Sequence, residues 1–303
     1  MTITLRQEIT AEIIRRMLKG EDHRDAVVDL IDKTFVNTAI EFFEKIVRAK
    51  LNDDLITLDW YKENFLSWHQ DKRDIALNAG LNVKTIENKR QTTKKEIVFE
   101  EAVNHHDKFV ELVELLLDDN INVHLSLTMK GVTIDLDLNE SMIVINVLAV
   151  RRSAISGGAW STAGKQVESP LMEVLCRLFG VDERHFARPS ASDVSLREVD
   201  FYLLPPNGGR VRCEVKTMGR GNPESADAVR ARESKVFVAS TLSDTNKTQL
   251  DEWGVLWTEL QVRHGFLRFQ KTLHGLGIPY SALPVQNDYT PHIERAIQDT
   301  FKF

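Results

Sequence analysis

Residues Arg197–Lys216 read REVDFYLLPPNGGRVRCEVK, and the rest of the chain is best read outward from them. Val199, Phe201 and Leu203 alternate with Glu198, Asp200 and Tyr202. Beyond Pro205-Pro206-Asn207-Gly208-Gly209, Val211, Cys213 and Val215 alternate with Arg212, Glu214 and Lys216. A period of two on each side of a Pro/Gly turn predicts an antiparallel hairpin with strands over 197–204 and 210–216. One face is apolar. The other brings Asp200 beside Glu214 and Lys216.

On the C-terminal side, Pro223 opens a helix to about Glu233, 235–241 reads as a strand, 245–253 as a helix and 255–260 as a strand. On the N-terminal side, Ser169 has the character of an N-cap, with Pro170 at the first helical position of a helix that stops at Gly180. Leu171, Val174, Leu175, Leu178 and Phe179 form its apolar face, and Glu173 and Arg177 lie on the other side. Helix, hairpin, helix, strand, helix, strand predicts an α/β fold, a mixed sheet flanked by helices.

Further upstream, Val123, Leu125 and Leu127 alternate with polar partners, as do Val132, Ile134, Leu136 and Leu138 beyond Met129-Lys130-Gly131, which predicts another hairpin. A third apolar run, 142–150, ends in Arg151-Arg152. The glycine-rich stretch 156–165 after it reads as a surface loop and lacks the GxxxxGK[ST] pattern of a nucleotide-binding loop. From Leu5 to about Leu117 apolar residues recur at three and four, as in Ile13, Ile14, Met17 and Leu18, so this part is mainly helical. The expected organisation is a helical region over 1–120 and a core over 121–303.

Composition narrows the class. A chain of 303 residues that is 42% hydrophobic can bury a sizeable core. Its formal charge of −6 argues against a surface coated in basic residues for indiscriminate nucleic-acid binding, while leaving room for a local basic cleft. The two cysteines, Cys176 and Cys213, form no CxxC pair and have no histidine at ligand spacing, so neither a disulfide framework nor a zinc site is expected. No run approaches the roughly 18 apolar residues of a membrane span, and MTITLRQEIT does not resemble a signal peptide. The expectation is a cytoplasmic protein with no membrane partner.

Asp200, Glu214 and Lys216 carry the chemistry. Adjacent carboxylates repel, and each raises the pKa of the other unless a cation lies between them. Hard oxygen ligands without histidine or thiolate suit Mg2+, and the neighbouring ammonium of Lys216 can serve an attacking water. Such a set fits hydrolysis of a phosphodiester. The alternative is a solvated strand face whose charges only confer solubility.

The same residues resemble the PD-(D/E)xK nuclease motif, with Val199 in place of the usual proline before Asp200. The run from Arg212 to Ala228, RCEVKTMGRGNPESADA, is similar to the stretch around the ExK motif of CfrBI-type restriction endonucleases, and the likeness extends over about residues 169–260. It implies a type II enzyme with a restriction-endonuclease-like core, acting as a homodimer on a short palindromic DNA duplex and dependent on Mg2+. A companion DNA methyltransferase would protect the same site. Residue by residue, it makes Asp200, Glu214 and Val215 metal ligands and Lys216 the catalytic lysine. Glu173 matches a helical glutamate that often joins such sites; its alternative is a partner for Arg177.

Candidate DNA contacts fall in two places. Arg220, Asn222 and Glu224, just past the hairpin, are side chains able to read guanine, adenine and cytosine; otherwise they cap the next helix or meet phosphate. Residues 75–86, IALNAGLNVKTI, have the spacing of a helix-turn-helix that would present Lys84, Thr85, Asn88 and Lys89 to a groove, although two helices also pack this way without DNA. Arg230 and Arg232 suit phosphate, a dimer interface or plain solvation. His105, His106 and Asp107 read as surface residues. Two other functions are compatible with these features: a structure-selective repair nuclease or resolvase with the same core, and a non-catalytic helix-turn-helix regulator.

Overall fold

The structure, a computed structural model, describes residues 7–52, 57–118, 124–189, 199–217 and 224–302. In chain order its helices and strands are α1 (Gln7–Lys19), α2 (Arg24–Leu51), α3 (Leu58–Phe65), α4 (Lys72–Asn78), α5 (Val83–Arg90), α6 (Lys95–Asp118), β1 (Leu125–Met129), β2 (Val132–Leu136), α7 (Leu138–Leu178), β3 (Phe186–Ala187), β4 (Phe201–Leu203), β5 (Val211–Lys216), α8 (Glu224–Ala231), β6 (Val236–Ala239), α9 (Asp244–Glu252), β7 (Leu256–Glu259), α10 (Phe269–Gly275) and α11 (Thr290–Phe301). They form two compact units. Among the described residues, one comprises the stretch 29–159 and the other 7–28 and 160–302.

The first unit is helical with one hairpin. β1 and β2 pair antiparallel from Leu125↔Leu136 to Met129↔Val132, as their alternation predicts. Leu136 is buried with Phe42, Ile46, Tyr61, Phe65, Ile143 and Val147. α4 and α5 are two short helices joined by a turn over residues 79–82. Asp71 and Asn82 cap the two helices with their side chains. Gly80 turns the chain at φ +84°, a conformation that favours a residue without Cβ. Ala76 and Ile86 close on Val98 of α6, which locks the pair together. His106 corrects the surface expectation: it is buried and stacks on Tyr61 with ring centres 5.8 Å apart.

The stretch expected as a glycine-rich loop is instead the middle of α7, which is continuous over 41 residues with Pro170 inside it. Ile155, Ala159, Ala163 and Val167 recur every four residues and are buried, and this helical period outweighs the cost of about 1 kcal/mol that each interior glycine carries. By length and composition α7 could cross a bilayer, although several of its apolar residues are buried in the two units. Ile143, Val144 and Val147 are buried in the first unit, and Leu171, Val174 and Leu175 in the second.

The second unit is built on a five-stranded mixed sheet of order β3-β4-β5-β6-β7. β3, β4 and β5 are antiparallel neighbours, whereas β5, β6 and β7 run parallel. Parallel neighbours need crossover connections, and α8 and α9 supply them. Every residue of β6, VFVA, is buried, as a parallel strand covered on both faces requires. The helices and strands expected over 223–260 are present, shifted by one or two residues at their ends. Beyond residue 260 the chain adds α10 and α11, for which the sequence analysis carries no expectation. α11 packs on α1, with Arg15 Nε 2.7 Å from Glu294 Oε1.

Candidate active site

The site forms where β4 and β5 meet. Phe201 pairs with Cys213 and Tyr202 with Arg212, so one further step of the register sets Asp200 across from Glu214. On the other side, Glu214 pairs with Phe237 of β6. Paired residues of neighbouring strands share a face, and Phe237 is buried with Val229 of α8 and Leu250 of α9, so the carboxylates lie on the face covered by these helices. Cys213 and Val215 point the opposite way. Burial pushes the Cys176 thiol of α7 well up, and the neighbouring Cys213 adds to the shift.

The hairpin expectation holds at its centre. The described strand is shorter than 197–204, beginning at Phe201; Asp200 immediately precedes it, and Arg197 and Glu198 lie outside the described residues. Asp200 is 9% exposed and Glu214 is 0% exposed, which removes the reading of a solvated charged strand. Asp200 Oδ2 accepts a hydrogen bond from the Val215 amide at 2.8 Å. The amide and carbonyl of a strand residue point to the same edge, so the Val215 carbonyl also faces the Asp200 side.

Three cationic contacts complete the arrangement. Lys216 Nζ lies 3.0 Å from Glu214 Oε1. Arg232 Nη1 donates to both oxygens of Glu214, at 2.8 and 2.7 Å, and lies 3.9 Å from Asp200 Oδ1. Burial, reinforced by the charge of Glu214, pushes the Asp200 carboxyl up to about 6; the Val215 amide and the charges of Lys216 and Arg232 act against that rise. A carboxylate pair in this state attracts positive charge.

The donors suit a hard divalent cation. They are carboxylate oxygens with a backbone carbonyl at the same edge, and the guanidinium nitrogen shows that a cation is accommodated between them. Among the described residues no group of three or more His, Cys, Asp or Glu side chains is gathered for a metal, so the site offers two carboxylates at most. Mg2+ commonly takes one or two and fills its remaining positions with water and phosphate oxygens.

The other expected site residues are distributed as follows. Glu173 lies on α7 and is engaged by Arg177 (Nη2 to Oε1, 2.9 Å) and Arg188 (Nε to Oε2, 2.9 Å). Among the described residues it makes no hydrogen bond or ion pair with Asp200 or Glu214. Arg220 and Asn222 lie outside the described residues, and Glu224 opens α8. Lys84, Thr85 and Asn88 are exposed on α5; Lys89 is exposed too, but its Nζ lies 2.6 Å from Glu101 Oε2. Arg232, read from sequence as solvated or as a contact to phosphate or a partner, is the residue that sequence reasoning did not place in the site. Its alternation-free position just after α8 carries no signal that it reaches Glu214.

Neither a curated protein nor a solved structure matches the chain. The family model of the CfrBI restriction endonuclease matches residues 7–247, well over half of the sequence and running from α1 past the Asp200–Lys216 hairpin into α9. With that match over a mixed sheet of restriction-endonuclease-like architecture, the chain belongs to the CfrBI restriction endonuclease family.

Proposed function

We propose that the protein is a type II restriction endonuclease that hydrolyses phosphodiester bonds of duplex DNA at a short palindromic site, depends on Mg2+, and leaves 5′-phosphates. Family membership carries the nuclease activity and DNA as substrate. The observation that supports the finer reading is the close grouping of Asp200, Glu214 and Lys216 across one strand pair.

In this reading Asp200, Glu214 and the Val215 carbonyl hold the metal. Bound there, Mg2+ offsets negative charge developing on the phosphate and makes water a better acid. The Lys216 ammonium would orient the attacking water and stabilise the negative charge that develops on the phosphate, while the water's proton passes to solvent. As the water oxygen bonds to phosphorus, the bond from phosphorus to the 3′-oxygen breaks, and that oxygen leaves as a hydroxyl after taking a proton from solvent. Glu173, held by Arg177 and Arg188, supports the helix behind the sheet.

DNA contacts are assigned to two places. Arg220, Asn222 and Glu224 follow the catalytic strand and have the chemistry to read bases. Lys84, Thr85, Asn88 and Lys89 present a polar helix to the duplex, so the helical region 1–120 adds recognition to the core over 121–303. A palindromic site implies a homodimer, and a cutter of such sites needs a methyltransferase that protects them.

Mapping the ends of products from a long unmethylated duplex tests this reading. One short symmetric sequence at every end, with 5′-phosphates that ligate directly, is the expected result. Scattered ends, or cutting confined to branched or mismatched DNA, would assign the core to structure-selective cleavage instead.

A further inference from the structure

We infer that Arg232 is a built-in counter-ion of the cutting site, holding Glu214 and Asp200 in place in the metal-free enzyme and giving up its position to the divalent cation. The inference rests on the reading that these two carboxylates hold the metal.

The position of Arg232 is set by the end of α8. The Glu233 amide bonds to the Arg230 carbonyl at 3.1 Å and the Ser234 amide to the Val229 carbonyl at 3.0 Å, with Glu233 at φ +55°. This is the paired hydrogen-bond pattern that closes a helix with a left-handed residue, and Arg232 sits immediately before that residue. Arg212 Nη1 donates to the Arg232 carbonyl at 3.2 Å and ties down the main chain. Exchange therefore falls to the side chain, which is 28% exposed and so has a path toward solvent.

One nitrogen of this side chain occupies the ground a metal would need. Nη1 is 2.8 and 2.7 Å from the two oxygens of a carboxylate that is 0% exposed, and 3.9 Å from Asp200 Oδ1. A divalent ion bonds carboxylate oxygens at about 2.1 Å and would use the same lone pairs. The two cations repel at such a distance, so they exchange and do not coexist. Without a metal, a fully buried carboxylate needs a cation beside it, and Arg232 meets both of its oxygens where Lys216 lies 3.0 Å from Oε1. Arg232 is thus a positioning residue that acts through Glu214. It keeps the ligands apart from each other's charge and sets a threshold for metal entry.

The test is Mn2+ binding without DNA, read from the electron paramagnetic resonance signal of free Mn2+, for the wild type, Arg232→Met, Arg232→Gln, Arg232→Lys and Glu214→Gln. The expected wild-type result is one ion per chain, lost in Glu214→Gln. Arg232→Met and Arg232→Gln bind at least about fivefold more tightly, and Arg232→Lys returns toward wild type. In chelator the two neutral variants melt at lower temperature than wild type, and Mn2+ raises their midpoints further than it raises the wild-type midpoint. Unchanged or weaker Mn2+ binding in both neutral variants, with Glu214→Gln still abolishing it, overturns the role of Arg232 alone. Binding insensitive to Glu214→Gln overturns the metal assignment and this inference with it. Gln retains polarity and similar length, so the test survives if the Met variant fails to fold.

Discussion

Asp200 Oδ2 accepts the Val215 amide at 2.8 Å, a single hydrogen bond that fixes the first carboxylate to the strand carrying Glu214 and Lys216. It holds Asp200 on the β4 side of β5, where the Val215 carbonyl also points. The bond stabilises the ionised form, yet burial and Glu214 outweigh it and the carboxyl remains raised. The site therefore favours a cation by construction.

That raised carboxyl sets a pH dependence. With the folded value at about 6 and the ordinary value at 3.8, the stability contributed by protonated Asp200 is fully present below 3.8 and is lost as pH rises through about 6. In chelator, Asp200→Asn, which keeps an acceptor for the Val215 amide, is expected to stabilise the protein at pH 7–8 by on the order of 2 kcal/mol. The gain disappears near pH 4. Denaturant titrations of both proteins at the two pH values check this, and Mn2+ binding by the wild type should weaken as pH falls through 6.

Glu173 supplies a second prediction. Its oxygens are engaged by Arg177 and Arg188, and among the described residues neither oxygen bonds to Asp200 or Glu214. Glu173→Gln is expected to lower stability by about 1–2 kcal/mol while leaving Mn2+ affinity within a factor of two of wild type. A tenfold loss of Mn2+ affinity would instead place Glu173 among the ligands.

On α5, Lys84 and Asn88 are exposed, whereas Lys89 and Arg90 are bound to Glu101. Lys84→Ala is expected to weaken DNA binding and reduce its salt slope by about 1, with the cleavage rate at saturating DNA unchanged. Fluorescence anisotropy across a salt series measures this. An unchanged slope would make α4 and α5 a packing motif only.

How much of this was legible beforehand depends on the range of the interactions. Asp200, Glu214 and Lys216 could be placed together because strand alternation and one turn relate them locally. The α8–α9 crossovers followed from short apolar runs with clear breaks. The stretch 156–165 misled because three glycines outweighed a four-residue period of small buried residues, Ile155, Ala159, Ala163 and Val167, whose effect depends on packing. His106 was misjudged for the same reason, since burial against Tyr61 is a tertiary fact. Arg232 reaches Glu214 across 18 positions, and nothing within its own segment announces that contact.

The most direct test of the site is single-turnover cleavage of a long unmethylated duplex by the wild type and Lys216→Ala, each in Mg2+ and in chelator, with DNA binding measured alongside. Discrete fragments are expected from the wild type in Mg2+ only, and the Lys216→Ala protein is expected to bind DNA within a few-fold of wild type yet cut it slower by roughly 10²–10⁴-fold. Cleavage by Lys216→Ala at the wild-type rate, or DNA that stays intact with bound wild-type enzyme and Mg2+, would contradict this assignment of the site.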